Sequence, residues 1–373
     1  MTASTAQNAQ NARKTSPDAS LTDRDDGPSP REALVYPFDS VPEAGEARPV
    51  APGVYWIRMP LPVGGLDHIN VWAIADGDGW TLVDTGMRDA GIAGLWEQVL
   101  AGPLGGRPVR RVIVTHYHPD HVGQAGPLCR AHGARLWMTR TDYFYGRTLS
   151  LDRFEEPHGE AESFARACGF DARMMEVWRE RARRGFWMVV EPLPPAYRRI
   201  VDGERIGIGA HDWEVVVGRG HSPEHACLHC PELGVLISGD QVLPRISSNI
   251  SVYPTEPDAN PLESWIASCR AIPQRVGADV LVLPAHNEPF RGLHERCNRL
   301  ADRHEAGLDR LAALLSEPRR VIDCFPALFR RRIGDDDRGL ATGETLAHLN
   351  CLIARGRAQR TTDADGVWWY SAA

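Results

Sequence analysis

The sequence predicts an α/β protein in which helices cover β-sheets, followed by a smaller helical module. Between about residues 50 and 290, runs of β-forming residues alternate with stretches of helical spacing. Several of these runs end in a polar residue, as strands do at the active sites of layered α/β domains. Beyond residue 290 the apolar spacing becomes helical and ends in a β-prone segment. We therefore expect a catalytic domain over residues 46–292 and a second domain over residues 293–373.

Composition narrows the class of protein. A chain of 373 residues with 43% hydrophobic and 24% charged residues is typical of a globular protein, and no apolar run approaches the ~20 residues that span a bilayer. The net charge of −7 gives no overall attraction to a polyanion. Eight cysteines without a targeting segment favour reduced thiols, so we expect a cytoplasmic protein without a membrane span. The first part of the chain, residues 1–45, is rich in small and polar residues and is expected to be a disordered tail.

The elements of the predicted catalytic domain follow in order. A hairpin turn is expected at Asp78-Gly79, a helix in AGIAGLWEQVLAG ends at Gly102, and a later helix runs through Leu128 to Gly133. The segments with β-forming character are GVYWIRMPL, INVWAIADGDGWTLVDTG, VRRVIVT, ARLWMT, HDWEVVV, LGVLISGD and DVLVLPAH. Residues 140–200 form an insertion with aromatic residues and arginines at helical spacing. It is either a helical hairpin that packs its own apolar face or a lid over a substrate pocket.

The C-terminal region predicts two amphipathic helices and a hairpin. The segment LHERCNRLADRHEAGLDRLAALLSE has leucines at helical spacing and ends before Pro318. A second helix in GETLAHLNCLIARGRAQR stops at Gly356, and a turn at Asp365-Gly366 separates β-prone residues. Helices followed by a short hairpin describe a module of the winged-helix type.

The stretch THYHPDHVG, directly after an apolar run, carries a concentration of metal-binding side chains. In extended backbone, alternate residues point to one side, so His116 and His118 can bind one ion while Tyr117 points away. Asp120 and His121 lie where a loop enters a helix and can turn towards a second ion. The spacing therefore predicts a centre with two metal ions.

Further polar residues follow apolar strands elsewhere in the chain. They are Asp84 in LVDTG, His221 in GRGHSPEH, Asp240 in LISGD and His286 in LPAHNEP. Any one of them alone is more often a core or surface residue than a ligand. Together with the histidine cluster, they complete two coordination shells.

The segments VDTG, THYHPDH, GHSPEH, SGD and LPAH, in this order, resemble the metallo-β-lactamase superfamily over about residues 50–290. The resemblance implies an αββα sandwich with Asp240 bridging two ions and Asp84 orienting ligand histidines. The ligands it implies are His116, His118 and His221 for the first ion and Asp120, His121 and His286 for the second. Imidazole and carboxylate ligands favour zinc, with iron or manganese as alternatives.

The C-terminal segments ETLAHLNCLIARGRAQR and DGVWWY resemble the winged-helix extension found on one branch of this superfamily. Basic residues in this region either contact nucleic acid or are solvated. Three aspartates partly offset the positive charge of the first three arginines. The basic residues are Arg330, Arg331, Arg332, Arg355, Arg357 and Arg360, and the aspartates are Asp335, Asp336 and Asp337.

The expected mechanism uses a hydroxide between the two ions, because metal coordination lowers the pKa of water from about 15.7 to about 7. Asp120 is expected to orient this hydroxide. The bridging residue Asp240 distinguishes hydrolases of thioesters, lactones and RNA from the antibiotic-hydrolysing members that the resemblance also covers. Just after it, Arg245, Ser247 and Asn249 either bind a carboxylate or phosphate of a substrate or form a loop that bonds only to itself.

The leading hypothesis is a dinuclear hydrolase of a small or medium acyl substrate, a thioester or ester as in the glyoxalase II group. The first alternative is a phosphodiesterase or endoribonuclease of the same superfamily, which the winged-helix resemblance favours and the negative net charge disfavours. The second is a non-hydrolytic diiron oxygenase-type protein. The expected partner is a small molecule, with nucleic acid as the less favoured one, and a homodimer is possible.

Overall fold

The computed structural model describes residues 34–63, 66–154 and 156–373. Two β-sheets face each other, and helices cover the outer face of each sheet. The predicted α/β fold with an αββα sandwich and a C-terminal helical module is confirmed. Among the described residues, no helix has both the length and the apolar character needed to cross a bilayer.

The first sheet contains the N-terminal strands in sequence order. The pairs from β1 to β4 are antiparallel, and the pairs from β4 to β7 are parallel. The strands are β1 Arg48–Ala51, β2 Val54–Val63, β3 Leu66–Asp76, β4 Gly79–Val83, β5 Val109–Ile113, β6 Arg135–Met138 and β7 Arg198–Arg199.

The second sheet has the order β12-β11-β10-β9-β8, and its pair β11-β12 is parallel. A separate hairpin closes the chain. The strands of the sheet are β8 Arg205–Ile208, β9 His211–Gly218, β10 His225–Cys230, β11 Val235–Gly239 and β12 Leu281–Pro284, and those of the hairpin are β13 Ala358–Thr362 and β14 Trp368–Ala372.

Helices join the strands and form the C-terminal module. They are α1 Ala90–Ala101, α2 Pro119–Val122, α3 Ala125–His132, α4 Arg140–Leu151, α5 Gly159–Ala167, α6 Ala172–Ala182, α7 Pro261–Arg275, α8 Leu293–Leu314, α9 Phe325–Leu328 and α10 Arg338–Ala354. Short 3₁₀ helices lie at Phe186–Met188 and Val321–Cys324. The insertion of residues 140–200 is therefore helical, and its end joins the first sheet as β7.

A buried apolar layer holds the two sheets together. Trp56 and Trp72 of the first sheet are buried in one cluster with Trp213, Leu228 and Ile237 of the second. Alternate residues of these strands point away from this layer and pack against helices, as the period of two along a strand requires. Burying apolar side chains on both faces explains why these strands read as nearly continuous apolar runs.

The C-terminal helices share a core with the second sheet. Val216 and Leu236 of that sheet are buried in one cluster with Trp265 of α7, Leu308 of α8 and Leu346 of α10. The packing is therefore continuous across the predicted boundary at residues 292 and 293. The domain limits themselves stay a prediction.

The structure corrects two expectations near the N-terminus. The hairpin turn between β3 and β4 is at Gly77-Asp78, one residue before the predicted position, because Gly77 supplies the positive φ of 62° that a tight turn needs. The predicted tail of residues 1–45 extends too far. Leu34 is buried, and Val35 exchanges two backbone hydrogen bonds with Arg291. Residues 1–33 lie outside the described residues.

Candidate metal centre

Parallel strand pairs place the predicted ligands at one edge of the sandwich. Asp84 directly follows β4, and the loop after the neighbouring strand β5 begins with Val114, Thr115 and His116. In the second sheet, Asp240 follows β11 and His286 follows β12. The carboxyl ends of parallel strands meet at the same sheet edge, so segments distant in sequence come together here.

The first group consists of three histidines whose ring nitrogens face one another. His116 Nε2 lies 2.9 Å from His118 Nδ1 and 3.2 Å from His221 Nε2. Burial, followed by neighbouring histidine charges, holds the pKa of His116 well below its usual value, and burial lowers the pKa of His118 to about 3. The rings of His116 and His118 are therefore neutral at physiological pH and offer lone pairs to a cation.

The second group consists of Asp120, His121 and His286. Asp120 Oδ2 lies 3.6 Å from His121 Nε2 and 3.4 Å from His286 Nε2. Although burial lowers it, the carboxylates of Asp240 and Asp120 raise the pKa of His286 to about 10. The carboxylates thus favour positive charge at this position.

Asp240 lies between the two groups. Its Oδ2 is 3.3 Å from His221 Nε2 of the first group. Its Oδ1 is 3.5 Å from His121 Nε2 and 3.4 Å from His286 Nε2 of the second. One carboxylate therefore presents one oxygen to each group, which is the arrangement that a bridging ligand needs.

Atoms without hydrogen-bond partners test whether metal ions fit. Among the described residues, His121 Nε2 and Asp240 Oδ1 are buried and have no hydrogen-bond partner. Buried polar atoms are costly unless a partner satisfies them, and imidazoles and carboxylates are ligands of divalent metals. Two ions would satisfy all seven predicted ligands, with His116, His118, His221 and Asp240 around one and Asp120, His121 and His286 around the other.

The far ring nitrogens of the ligand histidines are held by oxygen atoms. His221 Nδ1 donates to the carbonyl of Asn249 at 2.7 Å, and His286 Nδ1 donates to the carbonyl of His68 at 2.9 Å. His121 Nδ1 donates to Asp84 Oδ2 at 2.8 Å. These bonds direct the other nitrogen of each ring towards the centre.

Asp84 has the position expected of an orienting carboxylate. Besides His121, it accepts a hydrogen bond from the backbone N–H of Thr115 at 2.8 Å. Its φ of 62° lies in the left-handed region, which is unfavourable for a non-glycine residue. The strained backbone is the cost of directing this carboxylate into the centre.

His225 holds the backbone of Asp240 in place. Its Nε2 accepts the backbone N–H of Asp240 at 3.0 Å, and its ring lies 4.7 Å from the ring of His116. A Cβ atom at Gly239 would lie 2.6 Å from the same Nε2. The glycine before Asp240 is therefore required by the close approach of His225.

Asp142 joins two ligand-bearing loops to the insertion. This buried residue of α4 accepts the backbone N–H of Tyr117 at 3.1 Å and that of Glu224 at 2.7 Å. Tyr117 lies between two predicted ligands, and Glu224 lies three residues after His221. The insertion thus fixes backbone on both sides of the first group.

A cavity of about 630 Å³ opens directly onto both groups. Ser247 and Asn249 line it, as the sequence suggests, but Arg245 does not. Arg245 instead forms an ion pair with Glu288 at 2.9 Å and lies over the ring of Tyr36. The predicted substrate contact of Arg245 is therefore not supported by its position.

Comparison with known proteins decides the family. The sequence model described as the metallo-beta-lactamase superfamily matches residues 64–286, more than half of the chain. The chain belongs to the metallo-β-lactamase superfamily. The model described as the metallo-beta-lactamase-like C-terminal domain matches residues 308–373.

Similar proteins of the superfamily include a solved structure and curated relatives. A β-lactamase domain protein from Burkholderia ambifaria is 42% identical with a TM-score of 0.84, over 91% of this chain and 98% of that chain. The probable metallo-hydrolase YqjP of Bacillus subtilis is 25% identical over 80% of this chain and 91% of its own length. A chicken protein named acyl-coenzyme A thioesterase MBLAC2 is 26% identical over 69% of this chain and 85% of its own length. This protein is a metal-binding hydrolase of the superfamily.

Sequence reasoning did not single out several residues that support the centre. His68 and Asp142 act through a carbonyl and through backbone hydrogen bonds, and neither lies in a recognisable motif. Glu344 reaches the cavity from α10, more than 50 residues beyond the last predicted ligand. The segment GETLAHLN contains Glu344 and His348 four residues apart on one helix face, which is the signal that could have identified them.

The first prediction tests the ligand set. Replacing His116 or Asp240 with alanine should remove bound metal and hydrolytic activity together, because each supplies an atom that faces other ligands at 3.2 to 3.3 Å. Metal content is measured by plasma mass spectrometry on the purified chains. Cys227→Ala, at a buried residue of β10, is the control and should keep its metal. Full activity in His116→Ala would refute the assignment.

The second prediction concerns Asp142. Its replacement with alanine leaves two backbone N–H groups without their acceptor, at a cost of roughly 1–3 kcal/mol each. We expect a lower free energy of unfolding in urea and weaker metal affinity, with Asp142→Asn intermediate. Asp152→Ala, just beyond the end of α4, is the matched control. Unchanged metal affinity in Asp142→Ala would show that these loops do not depend on the insertion.

Proposed function

We propose that the protein is a dinuclear metal-dependent hydrolase of acyl thioesters or esters. The observation that carries the proposal is the chemistry of the cavity, which has the candidate ligands at its base and mostly apolar walls. A labile acyl bond could lie over the ligands while the acyl chain lies along the walls. The apolar wall residues include Leu61, Leu66, Met87, Leu149, Phe186, Leu243, Ile246 and Leu340.

The walls come from parts of the chain that are distant in sequence. Leu61 belongs to β2, Leu149 and Phe186 belong to the insertion, and Leu340 belongs to α10. Tyr145 of the insertion also hydrogen-bonds to Thr255 at 2.7 Å, which joins the two sides of the cavity. The insertion therefore lines the proposed substrate pocket, which supports the lid role that the sequence left open.

When bound, two divalent ions supply a nucleophilic hydroxide near neutral pH and stabilise a developing oxyanion. Asp120 lines the cavity, and its proposed role is to accept a hydrogen bond from the attacking water and so orient it. His118 and His221 also reach the cavity wall. Burial of these groups strengthens their electrostatic interactions with the reacting carbonyl. Zinc is the proposed metal because imidazole and carboxylate ligands without thiolate match it.

The relatives support an acyl substrate. The MBLAC2 proteins of chicken, cattle and human are named acyl-coenzyme A thioesterases and are 24 to 26% identical to this chain. At this identity the shared name favours the reaction class more than any particular acyl group. A small-molecule substrate therefore agrees with both the cavity and the relatives.

The C-terminal arginines give little support to nucleic-acid binding. Four of the six predicted basic residues form ion pairs with carboxylates at 2.7 to 2.9 Å. The pairs are Arg331 with Asp337, Arg355 with Glu263 and Glu305, Arg357 with Asp309, and Arg360 with Asp258. A phosphate would have to compete with these carboxylates, so we propose the acyl hydrolase ahead of the ribonuclease.

The third prediction is the substrate class. A panel of acyl thioesters with short, medium and long chains, lactones, phosphodiesters and short RNA should show thioester or ester hydrolysis as the main activity. Activity should be lost in chelator and restored by zinc, because the ligand groups alone supply no nucleophile. RNA cleavage without thioester turnover would contradict the proposal, and iron with little hydrolysis would favour an oxygenase.

The fourth prediction tests the apolar wall. Leu149→Arg places a charge in the acyl path, and we expect KM for a long-chain thioester to rise about tenfold or more because a buried charge is costly. The KM for an acetyl thioester should change little. Leu151→Arg, on the same helix but 55% exposed, is the matched control. Equal effects on short and long substrates would place the acyl chain elsewhere.

A further inference from the structure

A second group of coordinating side chains lies among the C-terminal helices. His304 belongs to α8, whereas Glu344 and His348 lie four residues apart on α10 and so share one helix face. All three side chains are at least 97% buried. One potential ligand atom from each residue lies within 4.8 Å of the others. None of these residues belongs to the seven predicted ligands.

His348 directs a lone pair into this group. Its Nδ1 lies 2.8 Å from the backbone carbonyl of Glu344, which can only accept, so Nδ1 carries the proton. Burial lowers the pKa of His348 to about 4, so the ring is neutral. The other nitrogen, Nε2, therefore has a lone pair, and it lies 3.3 Å from His304 Nδ1.

His304 is engaged on its opposite side by Ser247. His304 Nε2 lies 3.3 Å from Ser247 Oγ, and that hydroxyl donates its own proton to the carbonyl of Ser248. When Ser247 donates to that carbonyl, its Oγ can accept His304 Nε2–H, which leaves the lone pair of His304 on Nδ1. In this tautomer, which the proposed ion would select, the lone pairs of His304 Nδ1 and His348 Nε2 face each other across 3.3 Å.

Glu344 adds a third electron-rich atom. Its Oε2 accepts a hydrogen bond from Asn249 Nδ2 at 2.9 Å. Its Oε1 is buried and, within the described part of the chain, has no hydrogen-bond partner. A buried carboxylate oxygen without a partner, next to two imidazole lone pairs, requires either a proton or a cation.

We infer that His304, Glu344 and His348 bind a divalent cation, separate from the centre at the strand ends. Zinc is the best match, because two imidazoles and a carboxylate are zinc ligands. The 3.3 Å between the two nitrogens also agrees with a tetrahedral ion: zinc–nitrogen bonds of about 2.0–2.1 Å place two such ligands roughly 3.3–3.4 Å apart. The carbonyl and hydroxyl on the far nitrogens are the supports that metal-bound histidines usually have.

The ion would connect the C-terminal helices to the catalytic centre. Asn249, which bonds to Glu344 through its side chain, accepts the Nδ1–H of His221 through its carbonyl. Ser247, in the same loop, contacts His304. The proposed role is therefore structural: the ion holds the loop that orients His221, and it does so whatever the substrate.

Metal counting tests this inference independently of activity. The full-length chain is saturated with zinc, freed of excess by gel filtration, and analysed by plasma mass spectrometry. We expect His304→Gln and His348→Gln to hold one zinc per chain fewer than the wild type. His132→Gln, at an exposed position on α3, should match the wild type. Wild-type zinc content in both His304→Gln and His348→Gln would overturn the inference.

A conservative variant separates metal loss from a folding defect. Glu344→Gln keeps one oxygen to accept the hydrogen bond from Asn249 but replaces the charged carboxylate with a neutral amide, so we expect zinc affinity at this site to fall about tenfold or more. Equal zinc affinity in Glu344→Gln and the wild type would also contradict the inference. Failure of the thioester assay would not affect either result, because neither measurement uses a substrate.

Discussion

The structure depends on one electrostatic constraint: coordinating atoms of like character are buried against one another at the ends of parallel strands. His118 Nδ1 and His221 Nε2 lie 2.9 and 3.2 Å from His116 Nε2, and Asp240 offers an oxygen to each of two groups. Such an arrangement is unfavourable without positive charge, because lone pairs repel and buried polar atoms without partners are costly. Bound cations would replace this repulsion with attractive metal–ligand interactions.

Around that constraint, backbone groups hold the ligands in place. Carbonyls of His68 and Asn249 fix two ring nitrogens, and Asp84 fixes a third at the expense of a left-handed backbone. Asp142 and His225 act on backbone N–H groups. The centre is thus held from the first sheet, the second sheet, the insertion and the loop that contacts α10, which makes it rigid in several directions.

The sequence predicts the ligands better than their supports, for a physical reason. Ligand identity depends on side-chain chemistry, so the order of VDTG, THYHPDH, GHSPEH, SGD and LPAH predicts which residues converge. The residues that hold the ligands act through carbonyls or backbone contacts, which any residue can supply. The role of His68 therefore cannot be predicted from its side chain. Arg245 shows a different limit of the sequence. Its charge predicts a contact with an anionic group of the substrate, but in the structure Arg245 forms an ion pair with Glu288. Composition also misleads at Leu34. The preceding residues are mostly polar and predict a disordered tail, although Leu34 itself is buried.

The apolar cluster shared by the second sheet and the C-terminal helices has a consequence for how the molecule loses its structure. Because Val216, Trp265 and Leu346 belong to one buried cluster, neither part can open without exposing the core of the other. We therefore expect unfolding of α10 to disrupt the strand-end centre as well. A destabilising substitution in the C-terminal helices, far from the reacting atoms, would therefore reduce catalysis.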